Sequence, residues 1–261
     1  MPFPPERIVC LTEETVETLY LLGQAHRIVG VTGYAIRPPE VRREKPRVGA
    51  FTSADVPKIL DLKPDLVLTF SDLQADIAAE LIRAGVAVHA FNQRDLTGIL
   101  DMIRTLGALT QSAGRAHALC ERYNRRLEQL RTLDRPNRAR VYFEEWDEPL
   151  ISGIGWVSEL IEIAGGDDVF KHLAAEQGAK ARILDPQQVI DAAPDVILAS
   201  WCGKKVRPEK IKARSGWHTI PAISNGRIFE IKSPLILQPG PAALTAGLDA
   251  IEAALWGQST A

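Results

Sequence analysis

"VPKILDLKPDLVLTFS" occupies residues 56–71, and "PQQVIDAAPDVILASW" occupies residues 186–201. Asp61, Pro64, Asp65 and Leu68 of the first match Asp191, Pro194, Asp195 and Leu198 of the second. The other core positions are apolar in both. Each stretch reads as a short helix, a Pro-Asp turn and a buried strand. One match this short is common among α/β proteins. Here the order around it repeats as well. "RIVCL" (7–11) and "VETLYLLG" (16–23) precede the first copy, and "RVYFEEW" (140–146) and "SELIEIAGG" (158–166) precede the second. The repeat predicts an α/β chain of two lobes, each a mostly parallel sheet with flanking helices.

Outward from these copies, "RIVGVT" (27–32), "DLVLTF" (65–70), "VAVHAF" (86–91), "DVILAS" (195–200) and "RIFEI" (227–231) read as further strands. Most are apolar throughout, which suits a parallel sheet covered on both faces. From Asp95 to about Leu133 apolar residues recur every three or four positions. That spacing predicts helices near 95–107 and 111–133, and a last helix is expected near 241–255. The expected division is an N-terminal lobe at 1–107, a connecting helix at 108–136 and a C-terminal lobe at 137–261.

The net charge of −2 gives nucleic acid and anionic membranes nothing global to attract. Cys10, Cys120 and Cys202 lie far apart with no CxxC or CxxH spacing, so no metal site is expected. The five histidines form no HxH or HExxH pattern, and His89 reads as a core residue. No apolar run reaches spanning length. The opening "MPFPPERIVCL" lacks a basic-then-apolar leader. A cytoplasmic location is expected on that reading, and a periplasmic one if a signal peptide has been removed. A monomer is expected.

Ligands of open parallel sheets bind beyond the carboxyl ends of the strands. In the first lobe these ends carry "TEET" (12–15), "TGYAIRPP" (32–39), "FSDLQ" (70–74) and "FNQ" (91–93); "FTSADV" (51–56) is a further loop. In the second they carry "EEWDEP" (144–149), "SWCGKK" (200–205) and "KSPLILQPGP" (232–241). The candidate ligand residues are Thr12, Glu13, Tyr34, Phe51, Thr52, Ser53, Phe70 and Asp72, then Glu145, Trp146, Gly155, Trp156, Trp201, Cys202, Ser233 and Pro234. Large aromatics at a rim suit a flat, largely apolar ligand. For Trp146 and Trp201 the alternative is core packing, and for Trp156 packing is the stronger reading. Glu144 and Glu145 point to opposite faces of a strand. Glu145 is the better acceptor for a ligand amide; solvated acids are the plain alternative. Cys202 beside Lys204 and Lys205 has the surroundings of a lowered thiol pKa, but no histidine motif accompanies it.

"RIVCLTEETVETLYLLG", "FTSADVPKILDLKPDLVLTFS", "YFEEWDEPLISGIGWVSELIEIAGGDDVF" and "SPLILQPGP" together make the chain resemble the periplasmic cobalamin-binding proteins and their metal-chelate-binding relatives, the class III substrate-binding proteins of ABC transporters. The resemblance covers about residues 5–255. It implies two lobes bridged by one long rigid helix, a corrinoid such as cobalamin held between them, and no enzyme activity. It places Tyr34 and Phe51 toward the ligand, and Asp76, with Glu209 as a looser counterpart, toward a transporter permease. "EEWDEP" and "WCGKK" carry more charge than corrin stacking requires. A haem or ferric-siderophore receptor of the same fold therefore stays open, as does a cytoplasmic corrinoid or metal-handling enzyme or chaperone using Cys202.

Overall fold

The computed structural model describes residues 3–257. The chain divides into two compact units. One comprises the residues up to Gln93 with Thr97–Arg122, and the other comprises Arg94–Leu96 with Tyr123 onward. The division falls inside the helix Ala113–Arg131, not at either of its ends.

In the first unit, β1 (Ile8–Cys10), β2 (Ile28–Val31), β3 (Leu66–Phe70) and β4 (Val88–Phe91) form one sheet in the order β2-β1-β3-β4, parallel throughout. The central strands β1 and β3 are buried at every residue, as expected of apolar runs covered on both faces. β4 departs from that expectation. It is the edge strand, and only Phe91 of its four residues is buried. His89 is accordingly half-buried and not a core residue. Its ring lies 4.4 Å from that of Phe91, and burial lowers its pKa.

The second unit holds β5 (Ala139–Asp147), β6 (Leu150–Ser152), β7 (Gly166–Asp168), β8 (Val196–Ala199) and β9 (Ile228–Glu230). The order is β6-β5-β8-β9, with β7 beside the first residues of β5. All pairs are parallel except β5–β6, an antiparallel hairpin. β6 and β7 were not anticipated from sequence. They are three residues long, and neither "LIS" nor "GDD" carries a strand period.

Both copies of the repeat build the same joint. In the first unit Asp55 caps the helix Val56–Asp61, and Lys63 then turns the chain at φ 47°. Asp65 accepts the backbone N–H groups of Glu6 and Arg7, at 2.7 and 3.0 Å. The Arg7 guanidinium in turn donates to the Leu62 and Lys63 carbonyls. In the second unit Asp185 caps the helix Pro186–Ala192, and Ala193 turns at φ 41°. Asp195 accepts the Arg140 N–H at 2.9 Å, and the Arg140 side chain donates to the Ala192 carbonyl. The repeated Pro-Asp thus locks the start of β3 to the start of β1, and the start of β8 to that of β5.

The helix expected near 241–255 is present and carries a π-helical segment, Ala243–Gly247, that continues into α-helix over Leu248–Trp256. At Gly247 a Cβ would lie 2.4 Å from the Leu235 carbonyl oxygen, so glycine lets that segment pack close.

Candidate functional site

The first unit's candidates lie beyond the carboxyl ends of β1, β2 and β3 and on the turn at Phe51–Ser53. Beyond β1, Thr12 is buried and its hydroxyl donates to Glu14 Oε1 at 2.6 Å. Glu13 and Glu14 start the helix Glu13–Leu21. Burial, reinforced by the neighbouring Glu14 charge, pushes the Glu13 carboxyl up to about 8. Burial pushes Glu14 up to about 7 against the opposing Thr12 hydrogen bond. Both acids therefore take part of their protons near neutral pH. Cys10 is buried beside them, and burial pushes its thiol up to about 12, which makes it inert.

Phe51, Thr52 and Ser53 sit on a tight turn closed by Ala50 N–H donating to the Ser53 carbonyl at 2.8 Å. A Cβ on Gly49 would lie 2.4 Å from that same oxygen, so only glycine admits the turn. Phe51 is partly buried, and Thr52 and Ser53 are exposed. Tyr34 is 51% exposed, with its loop tied to the turn by Gly33 N–H donating to the Gly49 carbonyl. Beyond β3, Phe70 is buried and Asp72 is exposed.

Sequence reasoning passed over Gln74. Its side chain is buried beneath this surface and joins three of the segments just described. Its Oε1 accepts the Phe70 N–H at 3.0 Å. Its Nε2 donates to the Leu11 carbonyl at 3.2 Å and the Phe51 carbonyl at 2.7 Å. The available signal was a glutamine closing "FSDLQ", one residue ahead of a helix, where a polar side chain can turn back on strand ends.

In the second unit the candidates gather at the end of β5. Glu144 and Glu145 do face opposite ways, and both are consumed by arginines. Glu144 is fully buried; its carboxylate accepts the Arg214 fork at 2.5 and 2.9 Å and the Trp201 indole N–H at 3.0 Å. Glu145 accepts the fork of buried Arg182 at 2.7 and 3.0 Å. Glu145, the acid expected to accept from a ligand amide, thus already takes one Arg182 N–H on each oxygen and keeps 19% of its side chain exposed.

Trp146 is partly exposed, and its indole N–H donates to the Glu148 carbonyl at 2.9 Å. The Lys204 ammonium lies 4.0 Å from its ring centroid and pairs with Asp147. Trp201, placed beside Trp146 as a rim aromatic, is instead 2% exposed within the cluster of Tyr142, Phe170, Ile211 and Trp217. Trp156 is likewise interior, its indole donating to the Ile236 carbonyl at 2.8 Å. A tryptophan at a strand end packs inward when its N–H has a buried acceptor, as each of these does.

Gly155 serves the backbone. A Cβ there would lie 2.3 Å from the Arg94 carbonyl oxygen, which accepts the Trp156 N–H. Cys202 is exposed, and Ser233 and Pro234 are partly buried at the start of the helix Ser233–Ile236. Asp76 and Glu209 are both exposed in the first turns of the helices Ala75–Arg83 and Pro208–Lys212. Among the described residues no cluster of histidine, cysteine, aspartate and glutamate has the make-up of a metal site.

Comparison with known proteins fits this architecture. The chain is 26% identical over 249 residues to a vitamin B12-binding protein of Vibrio cholerae, covering 94% of this chain and 87% of that one. It is also 26% identical over 248 residues to an uncharacterized ABC transporter substrate-binding lipoprotein, YvrC, of Bacillus subtilis, covering 91% and 76%. Among solved structures, the periplasmic heme-binding protein RhuT from Roseiflexus sp. RS-1 superposes with a TM-score of 0.80 at 25% identity, covering 96% and 99%. The profile of the periplasmic binding protein family matches residues 8–235, so this chain belongs to that family, whose members bind substrates and are not enzymes.

Proposed function

We propose that this protein is the substrate-binding component of an ABC transport system and that its ligand is a corrinoid, cobalamin first. The observation that carries the reading is the match to the Vibrio cholerae vitamin B12-binding protein across 94% of the chain. The accessible aromatics support it. Tyr34, Phe51 and Trp146 each keep part of their surface open at a strand end or a neighbouring turn, where a macrocycle and its amide arms would find apolar area and loop backbone. Asp76 and Glu209 are the acids offered to permease cations. The cytoplasmic expectation finds no support among these relatives, and export to the periplasm or the outer cell surface goes with this function. Family membership removes the enzyme alternative built on Cys202.

A second reading, a haem or ferric-chelate receptor, has one specific observation in its favour. Lys204, with 41% of its side chain exposed, holds a cation over Trp146, and exposed Lys205 and Lys232 lie near other strand ends. Carboxylate arms on a porphyrin would seek such cations. Titration with cyanocobalamin and with haem, followed by absorbance and calorimetry, separates the two. The corrinoid reading expects saturable one-to-one cyanocobalamin binding, weakened about tenfold or more in Trp146→Ala, as expected when one aromatic stacking partner is removed. Haem binding without cobalamin binding overturns it in favour of the second reading.

A further inference from the structure

We infer that Gln74 is a positioning residue of the first unit's ligand surface, holding the Phe51 turn and the strand ends of β1 and β3 in one fixed arrangement. This deepens the binding reading above and rests on it. Gln74 is 1% exposed and makes no claim on a ligand itself. Its three hydrogen bonds reach three separate segments of chain: Leu11 at the end of β1, Phe51 on its turn, and Phe70 at the end of β3. Each segment adjoins a ligand candidate. Leu11 precedes Thr12 and Glu13, the Phe51 carbonyl belongs to a candidate itself, and Phe70 leads to Asp72.

The pattern fixes the amide's orientation without ambiguity. One acceptor faces an N–H and two donors face carbonyls, whereas the flipped amide would set donor against donor and acceptor against acceptor. No other side chain offers this combination at that length. Glutamate lacks the donors, and lysine lacks the acceptor.

A second observation points to the same place. Ser71, between Phe70 and Asp72, has φ 60° and ψ −179°, a region that residues with a Cβ rarely enter. Such a conformation persists only where its surroundings over-determine it. Here the Ser71 N–H donates to the Phe91 carbonyl at 2.8 Å, its carbonyl accepts the Gln74 N–H at 3.3 Å, and its hydroxyl accepts the Leu73 N–H at 3.3 Å. Strained backbone, a buried three-way amide and the turn that carries partly buried Phe51 with exposed Thr52 and Ser53 form one device. A binding surface built on loops needs such a support, because loop geometry otherwise drifts and the ordering cost falls on the ligand.

The test uses Gln74→Met, which keeps length and removes all three bonds, and Gln74→Glu, which keeps the Phe70 acceptor and loses both donors. Wild type and variants are titrated with cyanocobalamin, alone and combined with Phe51→Ala. The expected result is binding weakened about tenfold or more in Gln74→Met, with Phe51→Ala costing affinity in wild type but little further in Gln74→Met. Unchanged affinity in Gln74→Met, or costs that simply multiply, overturns the inference. Exchange of the Phe70 amide, read by NMR without ligand, should quicken more than tenfold in Gln74→Met and much less in Gln74→Glu. Equal protection in all three proteins also overturns it. If wild type binds no cobalamin, the ligand assignment falls while the exchange data still judge the clamp. If Gln74→Met does not fold, Gln74→Glu, which loses the bonds to Leu11 and Phe51, carries the binding comparison with Phe51→Ala, and unchanged affinity in it overturns the inference.

Discussion

Glu14, just beyond β1, and Glu144, within β5, are both buried beside the central strands of their units, yet the two units neutralise them by different means. Glu14 receives a hydroxyl hydrogen bond from Thr12, and its carboxyl rises to about 7. Glu144 receives the whole Arg214 fork and an indole N–H. A buried carboxylate must be protonated or paired, since desolvation otherwise costs several kcal/mol. The first unit uses the proton and the second uses arginine. The same division governs the supports under the candidate surface: a neutral glutamine in the first unit, two ion pairs on opposite faces of β5 in the second. One chain thus holds a pH-responsive strand end and one that depends on its partners instead.

The largest expected effect breaks the arginine side of this contrast. Arg214→Met leaves Glu144 buried without its cation and should destabilise the protein by about 3–5 kcal/mol in urea unfolding. The double variant Arg214→Met with Glu144→Leu should recover much of that loss. A single variant as stable as wild type would mean that solvent reaches Glu144.

Next comes the proton side. The folded pKa of Glu14 lies above its ordinary value of 4.5, so the folded state binds the proton more tightly. Stability is then fully present below about pH 4.5 and is lost as pH rises through about 7. Glu13, pushed up to about 8, acts in the same direction. Glu14→Gln should remove about 2–3 kcal/mol of the stability difference between pH 5 and pH 8. Thermal melts at the two pH values check this, and an unaltered pH dependence in the variant would remove Glu14 from the account.

The shared joint predicts smaller, unequal effects. Asp65 takes two backbone N–H groups and Asp195 takes one. Asp65→Asn should cost about 1–2 kcal/mol, and Asp195→Asn less, in denaturant unfolding. The reverse order would break the equivalence of the two joints. The smallest effect is a gain. Lys63→Gly and Ala193→Gly, at φ 47° and 41°, should each raise stability by up to about 1 kcal/mol, because strain relief exceeds the entropy glycine adds to the unfolded chain. Differential scanning calorimetry resolves a shift of that size.

Legibility differed by element. The Pro-Asp repeat displayed the helix, turn and strand of each copy because those are local, but not the bonds from Asp65 and Asp195 to the starts of β1 and β5, whose partners lie 58 and 55 residues away. β1, β3 and β8 were readable because strands buried on both faces are apolar at nearly every position, and β5 was readable from its apolar stretch Val141–Phe143. β6 and β7 were not, since a three-residue strand owes its existence to the neighbour it pairs with. The tryptophans divide the same way. Trp146, Trp156 and Trp201 all lie at or near strand ends, and nothing adjacent in sequence distinguishes the one left partly open. Acceptors 57 and 80 residues away, on Glu144 and at Ile236, hold Trp201 and Trp156 inside. Gln74 was overlooked for the same reason: its partners lie 63 and 23 residues away, as well as four.

By itself the sequence determined the class of the fold, the two-unit repeat and the strand ends at which a ligand surface would be sought. Periodicity, turn chemistry and helix stops act between neighbours, and neighbours are what a sequence displays. Tertiary structure alone decided which of those strand-end side chains are consumed by the protein and which remain accessible. That choice depends on buried charges and donors finding partners across the sheet, as Glu145 finds Arg182 and Gln74 finds Phe51. Those pairings exist only once distant segments have come together.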